Sequence, residues 1–195
     1  NIIGMGGSSL GVKAIYSFLK PKIKKNFFFI DNINTKKNYN KKNKILNIII
    51  SKSGNTLETI SNFENLKNKK NNLFICENSN NYIRRLANKL KNEIVEHRNY
   101  IGGRYSVLSE VGMLPATLMG LNPKKFKKFD YLIKNKKFIN SLIENVSSTV
   151  SLINKKKLNS IILNFDENSE DLFKWYQQLI AESLGKKSKG LLPLV

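Results

Sequence analysis

The chain is poor in the residues that build covalent or metal-held scaffolds. Its 195 residues include one cysteine, Cys76, and one histidine, His97. A single thiol allows no disulfide within the chain, which fits a reducing, cytoplasmic setting. No Cys/His cluster offers a zinc-type site, and no metal is expected. Long apolar runs are also missing. None approaches the ~20 residues that cross a bilayer, so no membrane partner is expected. No signal-peptide pattern is visible. The chain starts at Asn1 and enters an apolar run directly, so its natural N-terminus is expected to lie upstream. Acidic side chains are scarce, 14 against 34 basic ones, for a net charge of +20. Such an excess raises a nucleic-acid reading. The lysines, however, are mixed with asparagine throughout, as in Lys36-Lys37-Asn38-Tyr39-Asn40-Lys41-Lys42-Asn43-Lys44. That reads as a compositional bias spread over solvated faces, and no nucleic-acid partner is expected. The positive field would still draw in an anionic substrate.

What the chain does have is core-forming material, 41% hydrophobic, arranged in short runs. Strands are predicted at Asn1–Ile3, Phe27–Ile30, Ile45–Ile50, Leu73–Cys76 and Ile94-Val95. Between them, Val12, Ile15, Phe18 and Leu19, then Leu57, Ile60, Phe63 and Leu66, then Ile83, Leu86 and Leu90 recur at helical spacing. Ile33 to Asn43 is polar and reads as a surface loop. Strands apolar on both faces and separated by helices predict an α/β fold with three α/β/α layers and a five-stranded parallel sheet. Ligands bind such sheets beyond the carboxyl ends of the strands. From Val107 to Leu121 the pattern is helical, with Pro115 expected to kink it or start a new helix. Phe126 to Ile153 reads as long, polar-faced helices. A further strand is predicted at Ile161–Leu163, a helix over Trp175–Leu184, and another strand near Leu191–Pro193.

Four stretches carry chemistry. Gly4-Met5-Gly6-Gly7-Ser8-Ser9-Leu10-Gly11 joins a strand to a helix, where glycines and free amides suit an anion. Ser9 stands at the third glycine of a dinucleotide fingerprint, and no Gly-Lys completes a phosphate-binding P-loop. A tight strand-to-helix turn is the plain alternative. Ser51-Lys52-Ser53-Gly54-Asn55-Thr56 follows the third strand. Its hydroxyls and amides make a socket for a phosphate, while Asn55 and Glu58 have the spacing of a capping box. In Gly102-Gly103-Arg104-Tyr105-Ser106 an arginine follows two glycines in an apolar stretch, and could fork an oxyanion or pair with a buried carboxylate. In Trp175–Lys186, Gln178 and Glu182 share a helix face. Apolar neighbours of Glu182 could raise its pKa and make it a base.

Together and in this order, the four stretches resemble phosphoglucose isomerase, a family built from two sugar-isomerase domains. Ile3–Ser8 looks like its first glycine loop, Ser51–Thr59 its phosphate loop, Gly102–Ser106 a family signature, and Gln177–Ser183 the segment bearing its base. The resemblance runs to about Lys189. It implies a flavodoxin-like sugar-isomerase domain over 1–121, a helical linker over 122–157 and the start of a second such domain over 158–195. It implies an enzyme of glycolysis and gluconeogenesis that interconverts glucose 6-phosphate and fructose 6-phosphate, acting as a cytoplasmic homodimer without a cofactor. Substrate contacts would come from Gly7, Ser8, Ser51, Lys52, Ser53, Gly54, Asn55, Thr56 and Gln178. Arg104 would stabilise the enediolate and Glu182 would carry the proton. The family's histidine and lysine for ring opening lie beyond the base segment. His97 precedes it and is expected to be structural or exposed, so the 195 residues alone are expected to be inactive. A non-catalytic phosphosugar-binding protein, or an isomerase of another sugar phosphate, would share the first two stretches.

Overall fold

The computed structural model describes residues 1–33, 45–156, 159–186 and 190–195. From residue 34 onward, the polar stretch expected as a loop lies outside these. The strands β1 (Ile2–Ile3), β2 (Phe29–Ile30), β3 (Ile48–Ile50), β4 (Leu73–Glu77) and β5 (Glu93–His97) form one sheet in the order β2-β1-β3-β4-β5. Every neighbouring pair is parallel. This is the flavodoxin-like order, whose direction of winding reverses between β1 and β3.

Side chains alternate across a strand, and here the alternation sorts the core into two halves. Ile2, Ile48, Ile50 and Ile75 face Val12 and Ile15 of α1 (Leu10–Phe18) and Val111 and Ala116 of α4 (Glu110–Leu118). Ile3, Ile49, Phe74 and Cys76 face Phe63 of α2 (Leu57–Glu64) and Ile83 and Ala87 of α3 (Tyr82–Lys89). The three layers expected from the sequence are therefore present. The predicted helix from Val107 divides in two: Gly103–Leu108 form 3-10 turns, and Ser109 caps a separate α4 by accepting from the Val111 amide. Pro115 does not end α4, and the Met119 amide bonds to the Pro115 carbonyl.

At the amino end of the sheet the residue before each of four strands is an asparagine. Asn1 Nδ2 donates to Asn47 Oδ1 at 2.7 Å, and Asn47 Nδ2 to Asn72 Oδ1 at 2.8 Å. Asn92 Oδ1 accepts from the Asn72 amide at 3.0 Å.

Beyond α4 lie α5 (Pro123–Phe126), α6 (Asp130–Ile133) and α7 (Lys136–Asn154), none with a buried residue. β6 (Asn159–Ile161) and β7 (Leu192–Leu194) then pair in parallel, and α8 (Glu170–Leu184) lies between them in the chain. A parallel pair needs such a crossover. α8 also packs along α1, with Trp175 against the first half of the core and Lys13 3.7 Å from Asp171. That contact brings the far end of the sequence to the carboxyl end of the sheet.

Candidate functional site

The winding reversal opens a crevice beyond the ends of β1 and β3, and the first two motif loops leave from those ends. Gly4–Ser9 passes through a 3-10 turn into α1, with the Ser8 amide bonded to the Met5 carbonyl. Ser51–Thr56 leads from β3 into α2. Inside this second loop, buried Ser51 and half-buried Thr56 share a hydroxyl–hydroxyl bond of 2.9 Å. Ser53 is exposed, and its hydroxyl accepts from the Asn55 amide. Gly54 has φ +64°, and a Cβ there would lie 1.9 Å from Asn81 Oδ1, so only glycine fits.

Two residues of this loop act differently from expectation. The Asn55–Glu58 capping box does not form: Thr56 takes the cap position of α2 without a side-chain bond. Asn55 Oδ1 instead accepts from the Tyr82 amide at the start of α3. Lys52 does not stand free over the socket. Its ammonium lies 3.3 Å from Glu77 and donates to the Asn99 carbonyl at 3.0 Å. The groups left to meet an anion are the loop's amides and hydroxyls.

The third motif folds back from β5 onto the first. A Cβ on Gly7 would lie 2.4 Å from the Gly103 carbonyl carbon, so the two backbones touch. Ser106 Oγ bonds the Gly103 carbonyl at 2.7 Å and the Gly7 carbonyl at 3.3 Å. His97, at the end of β5, is buried, and its Nδ1 meets the Arg98 carbonyl at 3.0 Å and Glu110 Oε1 at 3.5 Å. Through Nδ1 it ties the end of β5 to the start of α4. Cys76 is equally buried on β4, and burial pushes its thiol above the ordinary range, the opposite of what a nucleophile needs.

α8 supplies the fourth motif. Gln178 Nε2 would lie 2.9 Å from a Cβ on Gly6 and donates to Glu182 Oε1 at 2.8 Å. Gln178 Oε1 is buried and has no hydrogen-bond partner among the described residues. Arg104 Nη1 stands 3.8 Å from Glu182 Oε2. The Glu182 side chain is 49% exposed and lies between Gln178 and Arg104, not in the apolar nook expected for it. The structure thus brings Gly7, Arg104, Gln178 and Glu182 into one cluster.

Three neighbours of that cluster carried no assigned role in the sequence. Ser183 Oγ accepts from Arg104 Nε at 2.9 Å and bonds Tyr105 Oη at 2.6 Å. Trp175 Nε1 donates to the Arg104 carbonyl at 3.2 Å. The Ser183 hydroxyl, and after it Arg104, pull the Tyr105 phenol below its ordinary pKa. The signal available for Ser183 was its place beside Glu182 on one helix. Among the described residues, no group of three or more His, Cys, Asp or Glu is placed to hold a metal, and no helix is long and apolar enough to cross a membrane.

The family model for phosphoglucose isomerase matches residues 1–190. The chain belongs to the phosphoglucose isomerase family. It is 34% identical over its whole length to a glucose-6-phosphate isomerase of Methanocaldococcus jannaschii, covering 52% of that protein. It is 33% identical to one of Mycoplasmopsis pulmonis, over 98% of this chain and 51% of the relative. The chain spans about half the length of the curated relatives it matches. A crystal structure of a hypothetical protein from Thermus thermophilus shares the fold, with a TM-score of 0.78 at 23% identity over 99% of this chain and 52% of that one.

Proposed function

We propose that the full-length protein interconverts D-glucose 6-phosphate and D-fructose 6-phosphate through a cis-enediol. The observation that carries this is the carboxylate of Glu182 3.8 Å from the guanidinium of Arg104, whose backbone amide lies against Gly7. A phosphosugar-binding protein would need the loops but not this pair. In the proposed reaction, amides and hydroxyls of Ser51–Thr56, with Gly7 and Ser8, hold the phosphate at the winding reversal. Glu182 takes the C2 proton of the open-chain aldose. The C2–H electron pair becomes the C1=C2 bond, and O1 gains a proton as the carbonyl opens. The protonated Glu182 then returns its proton to C1 while O2 loses its own and the ketose forms. A carbon acid is weak, so Arg104 has its largest effect on the charge that develops at the enediolate oxygens. The unpartnered Gln178 Oε1 is available to a sugar hydroxyl. The family resemblance implies that ring opening falls to a histidine and a lysine beyond the base segment.

Residues 158–195 belong, in this reading, to a second sugar-isomerase domain, and the protein works as a cytoplasmic homodimer; both rest on the family resemblance. The experiment is Glu182→Gln in the full-length protein, assayed in both directions. A fall in kcat of about 10²–10⁴-fold is expected, the range for losing a general acid–base group. Near-normal turnover would remove Glu182 from the mechanism. Sugar-phosphate binding without turnover by the unaltered protein would turn the reading to a binding module.

A further inference from the structure

A guanidinium and a carboxylate on facing elements tend to close into a two-pronged pair, because the planar fork of one matches the two oxygens of the other. Arg104 and Glu182 have not done so. Their contact is single and long, 3.8 Å from Nη1 to Oε2, although the carboxylate side chain is half exposed and the arginine side chain 25% exposed. The guanidinium is anchored away from that contact: its Nε–H, which points to the Nη2 side and not beside Nη1, donates to Ser183 Oγ at 2.9 Å and sets the orientation of the plane. The Glu182 oxygen that would complete the fork from the other side, Oε1, is held by Gln178 Nε2. Ser183 is itself fixed by Tyr105 Oη at 2.6 Å, and the Tyr105 ring lies 4.6 Å under the guanidinium carbon. The Arg104 backbone is pinned to the same helix by Trp175.

We propose that Ser183 is a positioning residue that holds Arg104 through Nε, fixing the plane of the guanidinium so that the cation stays aimed at the enediolate oxygens and the base stays available to carbon. This rests on the isomerase reading above. It makes a separate statement, that the Ser183 hydroxyl acts through Arg104. Without that hydroxyl the guanidinium loses its anchor and turns to lay a two-pronged edge on Glu182, which withdraws both side chains from the substrate. The substrate's phosphate contacts are untouched, so the loss falls on the chemical step and not on ground-state binding.

The test uses the full-length protein carrying Ser183→Ala or Ser183→Thr, each also combined with Arg104→Ala. Alanine is the better helix former at this position of α8, so the fold is retained. Ser183→Ala is expected to lower kcat about tenfold with KM within about twofold, and Ser183→Thr, which keeps a hydroxyl, to recover most of it. In the Arg104→Ala background, Ser183→Ala is expected to change kcat by less than about twofold, because residues that act through one another are not additive. The same tenfold loss in both backgrounds, or wild-type kcat in Ser183→Ala, overturns the proposal. A second readout needs no turnover: the ¹⁵N resonance of Arg104 Nε–H, assigned by its loss in Arg104→Ala. It should be protected from solvent exchange in the wild type and in Ser183→Thr, and shifted or exchange-broadened in Ser183→Ala. An unchanged resonance in Ser183→Ala overturns the proposal whatever the activity. If that resonance responds as expected but the wild type turns over no glucose 6-phosphate, the isomerase reading fails and the positioning of Arg104 stands.

Discussion

At Gly54 the backbone and the space around it both exclude a side chain. Its φ of +64° is strained for any L residue, and Asn81 Oδ1 fills the place a Cβ would take. Gly54→Ala must push Asn81 away, and Asn81 also caps α3 by accepting from the Arg84 amide at 2.9 Å. The expected loss of stability is about 2–4 kcal/mol, from backbone strain plus a weakened cap, read as a lower urea midpoint at unchanged slope. A midpoint within experimental error of the wild type would show that the loop relaxes freely. The sequence made Gly54 visible as a flexible point, but its partner 27 residues on could not be read there. The asparagines were harder still. Against an Asn-rich background they read as bias, yet Asn81, Asn122 and Asn135 each accept from the first turn of a helix, and Asn47 and Asn72 are buried and paired. A cap is a local motif and can be recognised once a helix start is known. A bond between the ends of two strands depends on which strands are neighbours, and single-chain periodicity does not carry that.

At the level of elements, the unbroken apolar runs in Ile48–Ile50 and Leu73–Cys76 and the period near 3.6 in α1, α2 and α3 were legible, because both faces of a parallel sheet are buried. Their ends were less so. The apolar run Phe27–Ile30 yields a strand of only Phe29–Ile30, and Ile45 lies outside β3 and is exposed. Apolar character marks burial, whereas strand pairing also needs a neighbour of equal length. The Asn55–Glu58 spacing misled for a related reason: a capping box is one use for an asparagine at a helix start, and a nearby second helix start offered another. Phe63 gives the clearest energetic statement at this scale. It joins α2 to the sheet by an edge-on contact with Phe74, ring centres 5.2 Å apart, and is fully buried. Phe63→Ala is expected to destabilise by about 3–5 kcal/mol, transfer and cavity together, seen as a lowered melting temperature. A change under about 1 kcal/mol would mean that α2 collapses onto the space without strain.

On the whole-molecule scale the site is assembled from the ends of β1, β3 and β5 and from α8, and Arg104 and Ser183 are 79 residues apart in sequence. Each motif was visible alone, but their meeting depends on α8 lying along α1, which no local pattern encodes. The charge of the whole acts on that site from a distance. With a net charge of +20 and Lys52 already paired to Glu77, attraction of a phosphate is spread over many exposed lysines instead of one. Such attraction is screened beyond about 8 Å at ~0.15 M salt. In the full-length protein, kcat/KM for the sugar phosphate is therefore expected to fall several-fold between ~0.01 M and ~0.3 M sodium chloride. A rate constant that does not respond to salt would show that the field plays no part in capture.

The row of asparagines at the other end of the sheet bears on that same site through register. β1 and β2 have two residues each and β3 three, too few for their backbone bonds alone to fix alignment firmly. A slip of β3 by one residue would turn Ile48 and Ile50 toward the wrong helices. It would also carry Asn47 away from both Asn1 and Asn72, leaving buried amides unpaired at about 1–3 kcal/mol each. The asparagines thus act as a gauge set at the start of each strand. Because the strands are so short, the loops leaving their far ends inherit the setting, and the spacing between Gly7 and Ser51 is decided at the edge of the sheet farthest from them.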